Sequence, residues 1–125
     1  MEFKDEKAIF LQIADYFMEN LLRGTWADGD RIMSVRETAA ELEVNANTVL
    51  RTYNHMQDQG IIFNKRGIGY FFDDQAKQKV ITIKRKDFEE NSLPQLFQYM
   101  DLLSISITEL EEKYKTYKIN QDENR

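Results

Sequence analysis

The chain has 125 residues, is 42% hydrophobic and 31% charged, and holds one histidine, no cysteine and a formal net charge of −5. That supports one modest core plus an appendage and leaves a second full globular domain cramped. With no cysteine there are no disulfides or thiolate metal sites, and one histidine cannot build a zinc cluster or anchor a triad, so no catalytic site, metal or cofactor is expected.

There is no apolar run of membrane-spanning length, and the opening MEFKDEKAIF is acidic and mixed, unlike a secretory leader, so a cytoplasmic protein without membrane attachment is expected. Ile9, Ile13, Phe17 and Leu21 form one apolar row, widened by Phe10, Ala14, Met18 and Leu22. The spacing predicts an amphipathic core helix from about residue 8 to 23, ended by Gly24. Thr25 to Asp30 reads as a turn with Asp-Gly punctuation, followed by a short pairing segment near Arg31-Ile32, with Trp26 as a lid on the core.

Residues 34–60 organise the rest. Ser34-Val35-Arg36-Glu37 is a capping box, so a helix starts at Ser34, with Val35, Ala39 and Leu42 as its apolar stripe and small residues that allow a close crossing. Glu43-Val44-Asn45 leaves room only for a turn, Val44 plugs it, and Asn45 is a suitable N-cap for a second helix. On that helix Val49, Tyr53 and Met56 define the buried face, which puts Asn47, Thr48, Arg51, Asn54 and His55 outside. The outer face is polar but almost uncharged. Asn, Thr and Arg can read base edges and hold phosphates, whereas an ordinary solvated face would carry more Glu and Lys.

Gly60 closes the helix, and Ile61-Ile62-Phe63 and Tyr70-Phe71-Phe72 flank the basic, glycine-bearing Asn64 to Gly69, which predicts a β-hairpin with a charged tip. A hairpin directly after a helix-turn-helix is the wing of a winged-helix domain, and its tip arginine can grip phosphate or enter a minor groove. The net acidity argues against nucleic acid, but its distribution softens the objection. Residues 1–30 hold three basic and seven acidic side chains, residues 71–125 nine and eleven, and residues 31–70 five and four. Only the third with the helix pair is net positive, so binding should rest on a few placed contacts and two copies of the domain.

Beyond Asp74 three helices are expected: Gln75 to about Glu90, despite the β-branched Val80-Ile81-Thr82-Ile83; Ser92-Leu93-Pro94 to about Leu103; and one from the capping box Ser106-Ile107-Thr108-Glu109. Leu96, Phe97, Met100 and Leu103, then Ile107, Leu110, Tyr114 and Tyr117, make apolar rows too extensive for a tail lying alone in water. The expected fold is mostly α with a small β-hairpin: a winged helix-turn-helix domain (1–73), a helical dimerisation region (74–119) built on those eight residues, and a frayed tail (120–125). A fragment ending near Asp74 is expected to fold.

The stretches IFLQIADYFMENLLRG, DGDRIMSVRETAAELEVNANTVLRTYNHMQDQGII and KRGIGYFF resemble the GntR-type winged-helix transcription regulators, and the LPQLFQYMDLLSISITEL run is similar to the tail of their short YtrA-like branch. The resemblance implies a repressor-like homodimer on an inverted-repeat operator in double-stranded DNA, with the helical tail replacing the larger effector domain of longer relatives. A small-molecule effector is left open. Carried over by position, the resemblance assigns DNA contacts to Ser34 and Arg36 at the start of the first helix of the pair, to Asn45, Asn47, Thr48 and Arg51 on the second, and to Lys65, Arg66, Gly67 and Gly69 on the wing. Met33 stands where a proline is usual and Ala46 where the branch commonly has proline, so base readout from Ala46 should be absent or limited to a methyl contact. The alternative function is a winged-helix module that binds protein, which would expose apolar anchors on the outer face, where only Leu50 qualifies.

Overall fold

The structure, a computed structural model, describes residues 7–124; the acidic stretch before Lys7 and the last tail residue, Arg125, lie outside it. The chain forms two compact units, the first ending at Lys84 and the second starting at Arg85.

In the first unit, α1 (Ile9–Arg23) buries Ile13, Ala14, Phe17, Met18 and Leu21, the face set by its apolar spacing. It ends as a helix with a C-terminal glycine does: Gly24 takes a left-handed φ of 82°, and the Thr25 amide donates back to the Asn20 carbonyl at 2.9 Å. α2 (Val35–Leu42) opens with the reciprocal capping box, Ser34 Oγ accepting from the Glu37 amide and Glu37 accepting from the Ser34 amide. Glu43 ends α2 in the left-handed region, with φ 55°. α3 (Ala46–Asp58) follows at once, capped by Asn45 Oδ1, which accepts from the Asn47 amide at 2.7 Å.

The hairpin pairs β1 (Ile62–Lys65) with β2 (Gly69–Phe72) antiparallel, with Phe63 opposite Phe71. The segment near Arg31 joins as a third, one-residue strand: Arg31 bridges Phe71, the Ile32 amide donates to the Tyr70 carbonyl, and the Phe72 amide to that of Asp30. Val49, Tyr53, Met56, Ile61 and Phe72 are fully buried with the α1 face. Trp26 lies over this core, stacked on Phe72 at 5.9 Å and tilted against Phe17 at 5.1 Å.

The core does not close at the hairpin. α4 (Ala76–Asp87) is helical through its β-branched run and contributes Ala76 and Val80, both fully buried, and Ile83 packed beside them. Asp73 and Asp28 accept from the Gln75 and Lys77 amides at its start, and Lys84 joins Lys7 in pairing with Asp15 of α1. The first compact unit thus runs to Lys84, eleven residues beyond the boundary expected at 73/74, because α4 supplies the last side of the core.

In the second unit the break expected between Glu90 and Ser92 is absent. The helix passes from α4 through a π-helical turn (Phe88–Ser92), where the Leu93 amide reaches the Phe88 carbonyl, into α5 (Leu93–Leu102). Pro94 cannot donate a backbone hydrogen bond and its ring crowds the preceding turn; the wider turn accommodates both without ending the helix. Ser104 turns the chain with φ 56°, and Ser106 caps α6 (Ile107–Glu123) by accepting from the Glu109 amide. α6 extends through Asn120 to Glu123, so most of the tail expected to fray is helical.

Candidate nucleic-acid interface

The helix pair meets through one buried polar contact. Tyr53 of α3 is fully buried, its hydroxyl donates to the Met33 carbonyl at 2.7 Å, and it lies 2.7 Å from Thr38 Oγ1 of α2, itself fully buried. Since the phenolic proton goes to Met33, Thr38 supplies the proton of the second bond. Burial is the main cause that pushes the Tyr53 hydroxyl up to about 12. The acceptor at Met33 is a backbone carbonyl, which proline would equally provide, so this departure from the resemblance leaves the contact intact.

Around that contact the structure sets out the residues expected to touch DNA. Ser34 and Arg36 are exposed at the start of α2, with the Ser34 oxygen serving the cap. Hydrogen bonds with Ser34 hold the Glu37 carboxyl below the usual carboxylate range. Asn45 and Asn47 are exposed, and Asn45 uses its side-chain oxygen for the α3 cap while its amide N–H groups point to no hydrogen-bond partner among the described residues. Ala46 is exposed at the first helical position, Leu50 is 41% exposed, and Thr48 is half-buried. Asn47, Thr48 and Arg51 line one open cleft of about 340 Å³ with Ala8, Ile9 and Phe10 at the start of α1. The Arg51 guanidinium carbon sits 4.0 Å from the centre of the Phe10 ring.

The wing residues expected to contact DNA divide. Arg66 and Gly67 form the exposed tip, Gly67 with φ 80° and open space where a side chain would go. Lys65 lies within β1, its ammonium 5.7 Å from the centre of the Phe71 ring beside the stacked Phe63. Gly69 is partly covered in β2, where a Cβ would meet Arg31 Nε at 3.2 Å. The absence of a side chain there serves the approach of Arg31. Arg31, in the segment expected to pair as a short strand, also braces the tip: its Nη2 donates to the Ile68 carbonyl at 2.8 Å. A signal existed in the glycine after the tip, but only the strand pairing shows which side chain needs the space.

The eight residues expected to pair two copies also divide. Phe97, Leu103, Ile107, Tyr114 and Tyr117 are each at least half exposed, Leu96 and Leu110 are partly covered, and Met100, at 6% exposure, is already buried in a single chain. Tyr99, Leu102 and Ile119, which the periodicity did not single out, are exposed as well.

Among the described residues no group of histidine and carboxylate side chains could hold a metal ion, and no helix is long and apolar enough to cross a membrane. The arrangement offers hydrogen-bond donors, acceptors and guanidinium groups on the helix pair and the wing.

No protein-family model matches the chain. It is 34% identical over 116 residues to the HTH-type transcriptional regulator YhcF of Bacillus subtilis, covering 93% of this chain and 94% of that protein. It is 32% identical over 107 residues to the HTH-type transcriptional repressor YtrA of the same organism, covering 86% and 82%. Among solved structures, a GntR-family regulator from Bacteroides thetaiotaomicron matches at 39% identity and TM-score 0.76, over 91% of this chain and 99% of that one. Another from Listeria monocytogenes matches at 30% identity and TM-score 0.77, over 91% and 98%. Relatives at this identity, matched over most of their length on a helix pair with a wing, are transcription regulators and not enzymes, and this chain belongs with them to the GntR family of helix-turn-helix transcriptional regulators.

Proposed function

We propose that the chain is a cytoplasmic repressor that binds an inverted-repeat operator in double-stranded DNA as a homodimer. α3 enters the major groove, with Asn47, Thr48 and Arg51 meeting bases and phosphates. Ser34, Arg36 and Asn45 hold the backbone beside it, and Arg66 at the wing tip grips phosphate or minor groove. The observation that carries the dimer is α6: a helix of 17 residues with no buried side chain, on which Ile107, Tyr114 and Tyr117 stand exposed at 69%, 60% and 56%. Helices in proteins take most of their stability from packing an apolar face, and the exposed apolar residues here favour coverage by a second copy of the same surface. Repression is supported by the relative YtrA, which is named a repressor.

Selection of bound sites from a random duplex pool tests this reading. The expected product is a two-fold symmetric sequence with half-site centres about one helical turn, ~34 Å, apart. Affinity should fall steeply with added salt, since counterions are released from phosphates. Arg51→Ala should lower operator affinity and relax base choice, whereas Arg66→Ala should weaken all sequences more evenly. A pool that yields no enriched sequence, or an Arg51→Ala variant that selects the same site with equal affinity, overturns the assignment.

A further inference from the structure

Arg51 is the basic side chain of the recognition helix, and among the described residues no carboxylate pairs with it. What holds it is aromatic. Phe10 comes from the first turn of α1 and reaches α3 between two side chains one turn apart. The Arg51 guanidinium carbon lies 4.0 Å from its ring centre, and the His55 ring meets it edge-on with centroids 5.8 Å apart. The backbone at Phe10 is pinned to the same helix, because Thr52 Oγ1, fully buried, donates to the Phe10 carbonyl at 2.8 Å. The ring is thus fixed from below while its partner remains exposed. A guanidinium against an aromatic face keeps its N–H groups at its edges free to donate, and loses less freedom when it then binds than an arginine that swings in water.

We propose that Phe10 is a positioning residue for DNA recognition: its ring holds the Arg51 guanidinium beside Asn47 and Thr48, so the affinity that Arg51 contributes depends on the ring. This rests on the reading of Arg51 as a DNA contact, and the experiment separates the two. Full-length protein is titrated with a duplex carrying the operator selected from the random pool, and melted in parallel to follow folding. Phe10→Leu, which keeps apolar bulk between α1 and α3, should lower operator affinity about 2- to 5-fold, the range of an exposed cation–π contact. Phe10→Tyr, which keeps the ring, should restore it. In an Arg51→Ala background Phe10→Leu should change nothing further. Stepwise fluorination of the Phe10 ring, which drains the π face while barely changing shape, should weaken binding in proportion to fluorine number and have no such effect once Arg51 is alanine.

Equal losses from Phe10→Leu with and without Arg51 would mean that the ring only packs, and would overturn the proposal, as would an insensitivity to fluorination. An Arg51→Ala variant that binds as wild type overturns the reading of Arg51 itself. If Phe10→Leu proves too unstable to titrate, the fluorination series decides alone.

Discussion

The side chain on which the helix pair depends is Tyr53, because it satisfies two groups that burial would otherwise leave costly: the Met33 carbonyl and the Thr38 hydroxyl. Its burial was legible in the sequence from the spacing of Val49, Tyr53 and Met56. That of Thr38 was not: a threonine on a short helix reads as surface until a hydroxyl fifteen residues away is placed against it. Tyr53→Phe should destabilise the protein by about 1–3 kcal/mol at neutral pH, measured by urea unfolding, since both partners lose their bond to it. The same residue predicts an alkaline limb. The folded-state pKa is raised to about 12 from the ordinary 10.0. Its contribution is therefore complete below pH 10 and is lost as the pH rises towards 12, where the unfolded chain ionises first. Over that window wild type should lose on the order of 2–3 kcal/mol more than Tyr53→Phe, which lacks this hydroxyl and shares every other titrating group. Parallel slopes for the two proteins between pH 10 and 12 would show that Tyr53 is not the responsible group. Glu43 shows another limit of sequence: a turn was readable at 43–45, but with no glycine present nothing marked Glu43 as left-handed, φ 55°. Glu43→Gly should raise stability by about 0.5–1 kcal/mol, the relief of a strained φ offset by the greater freedom of glycine in the unfolded chain.

Elements carry their own logic, and the wing and α4 differ in how much of it the sequence displayed. The hairpin was legible because its strands are apolar and its tip is glycine-bearing and basic. Its brace was not, since Arg31 lies 37 residues before its partner carbonyl at Ile68. Arg31→Ala should leave thermal stability nearly unchanged, as the bond is exposed, while speeding hydrogen exchange at the Ile68 amide, which closes the tip by donating to the Lys65 carbonyl at 2.9 Å. Unchanged exchange at Ile68 would remove Arg31 from the support of the wing. α4 is legible as a helix, because its polar flanks are long and no turn signal interrupts them, but its place in the core is not; its burial shows only once Ala76, Val80 and Ile83 are placed beside the core. Burial raises the Asp15 carboxyl, but hydrogen bonds and charge from Lys7 and Lys84 outweigh it, and the net shift is downward. That part of the docking of α4 on α1 is present above the ordinary carboxylate pKa and is lost as the pH falls through the lowered one. A fragment ending at Asp87 should melt cooperatively, whereas one ending at Asp74 leaves the face covered by Ala76 and Val80 open to water. The shorter fragment should lose several kcal/mol, at about 25 cal/mol for each Å² of apolar surface left bare. Equal melting temperatures for the two would return the boundary to residue 73.

At the scale of the whole molecule the difficulty is charge, and the proposed dimer answers it. Five basic side chains against four acidic ones in residues 31–70, within a chain of net charge −5, give one copy little hold on a duplex at cellular salt. Two linked copies double the phosphate contacts and make the second half-site an intramolecular event. The apolar rows that would link them were legible as rows. Periodicity could not divide them, because Phe97 and Met100 follow the same helical spacing, yet one is 50% exposed and the other 6%. Helical phase gives a face; only the folded chain shows which part of it is already covered. The sharpest test therefore uses residues exposed in the single chain. Tyr114→Glu with Tyr117→Glu puts like charges at two neighbouring positions of α6 whose rings lie 6.3 Å apart, and leaves the first unit untouched. A two-fold interface meets each substitution twice, so the repulsion and the lost aromatic burial act in both copies. Sedimentation at micromolar concentration should shift from dimer to monomer, with operator affinity falling at least tenfold and the salt dependence becoming shallower, since fewer phosphates are neutralised per bound species. Met100→Ala supplies the contrast: it should cost stability by leaving a cavity, while the surviving folded protein still sediments as a dimer. If the doubly charged variant stays dimeric and binds the operator as wild type does, the Tyr114 and Tyr117 face of α6 has no part in assembly.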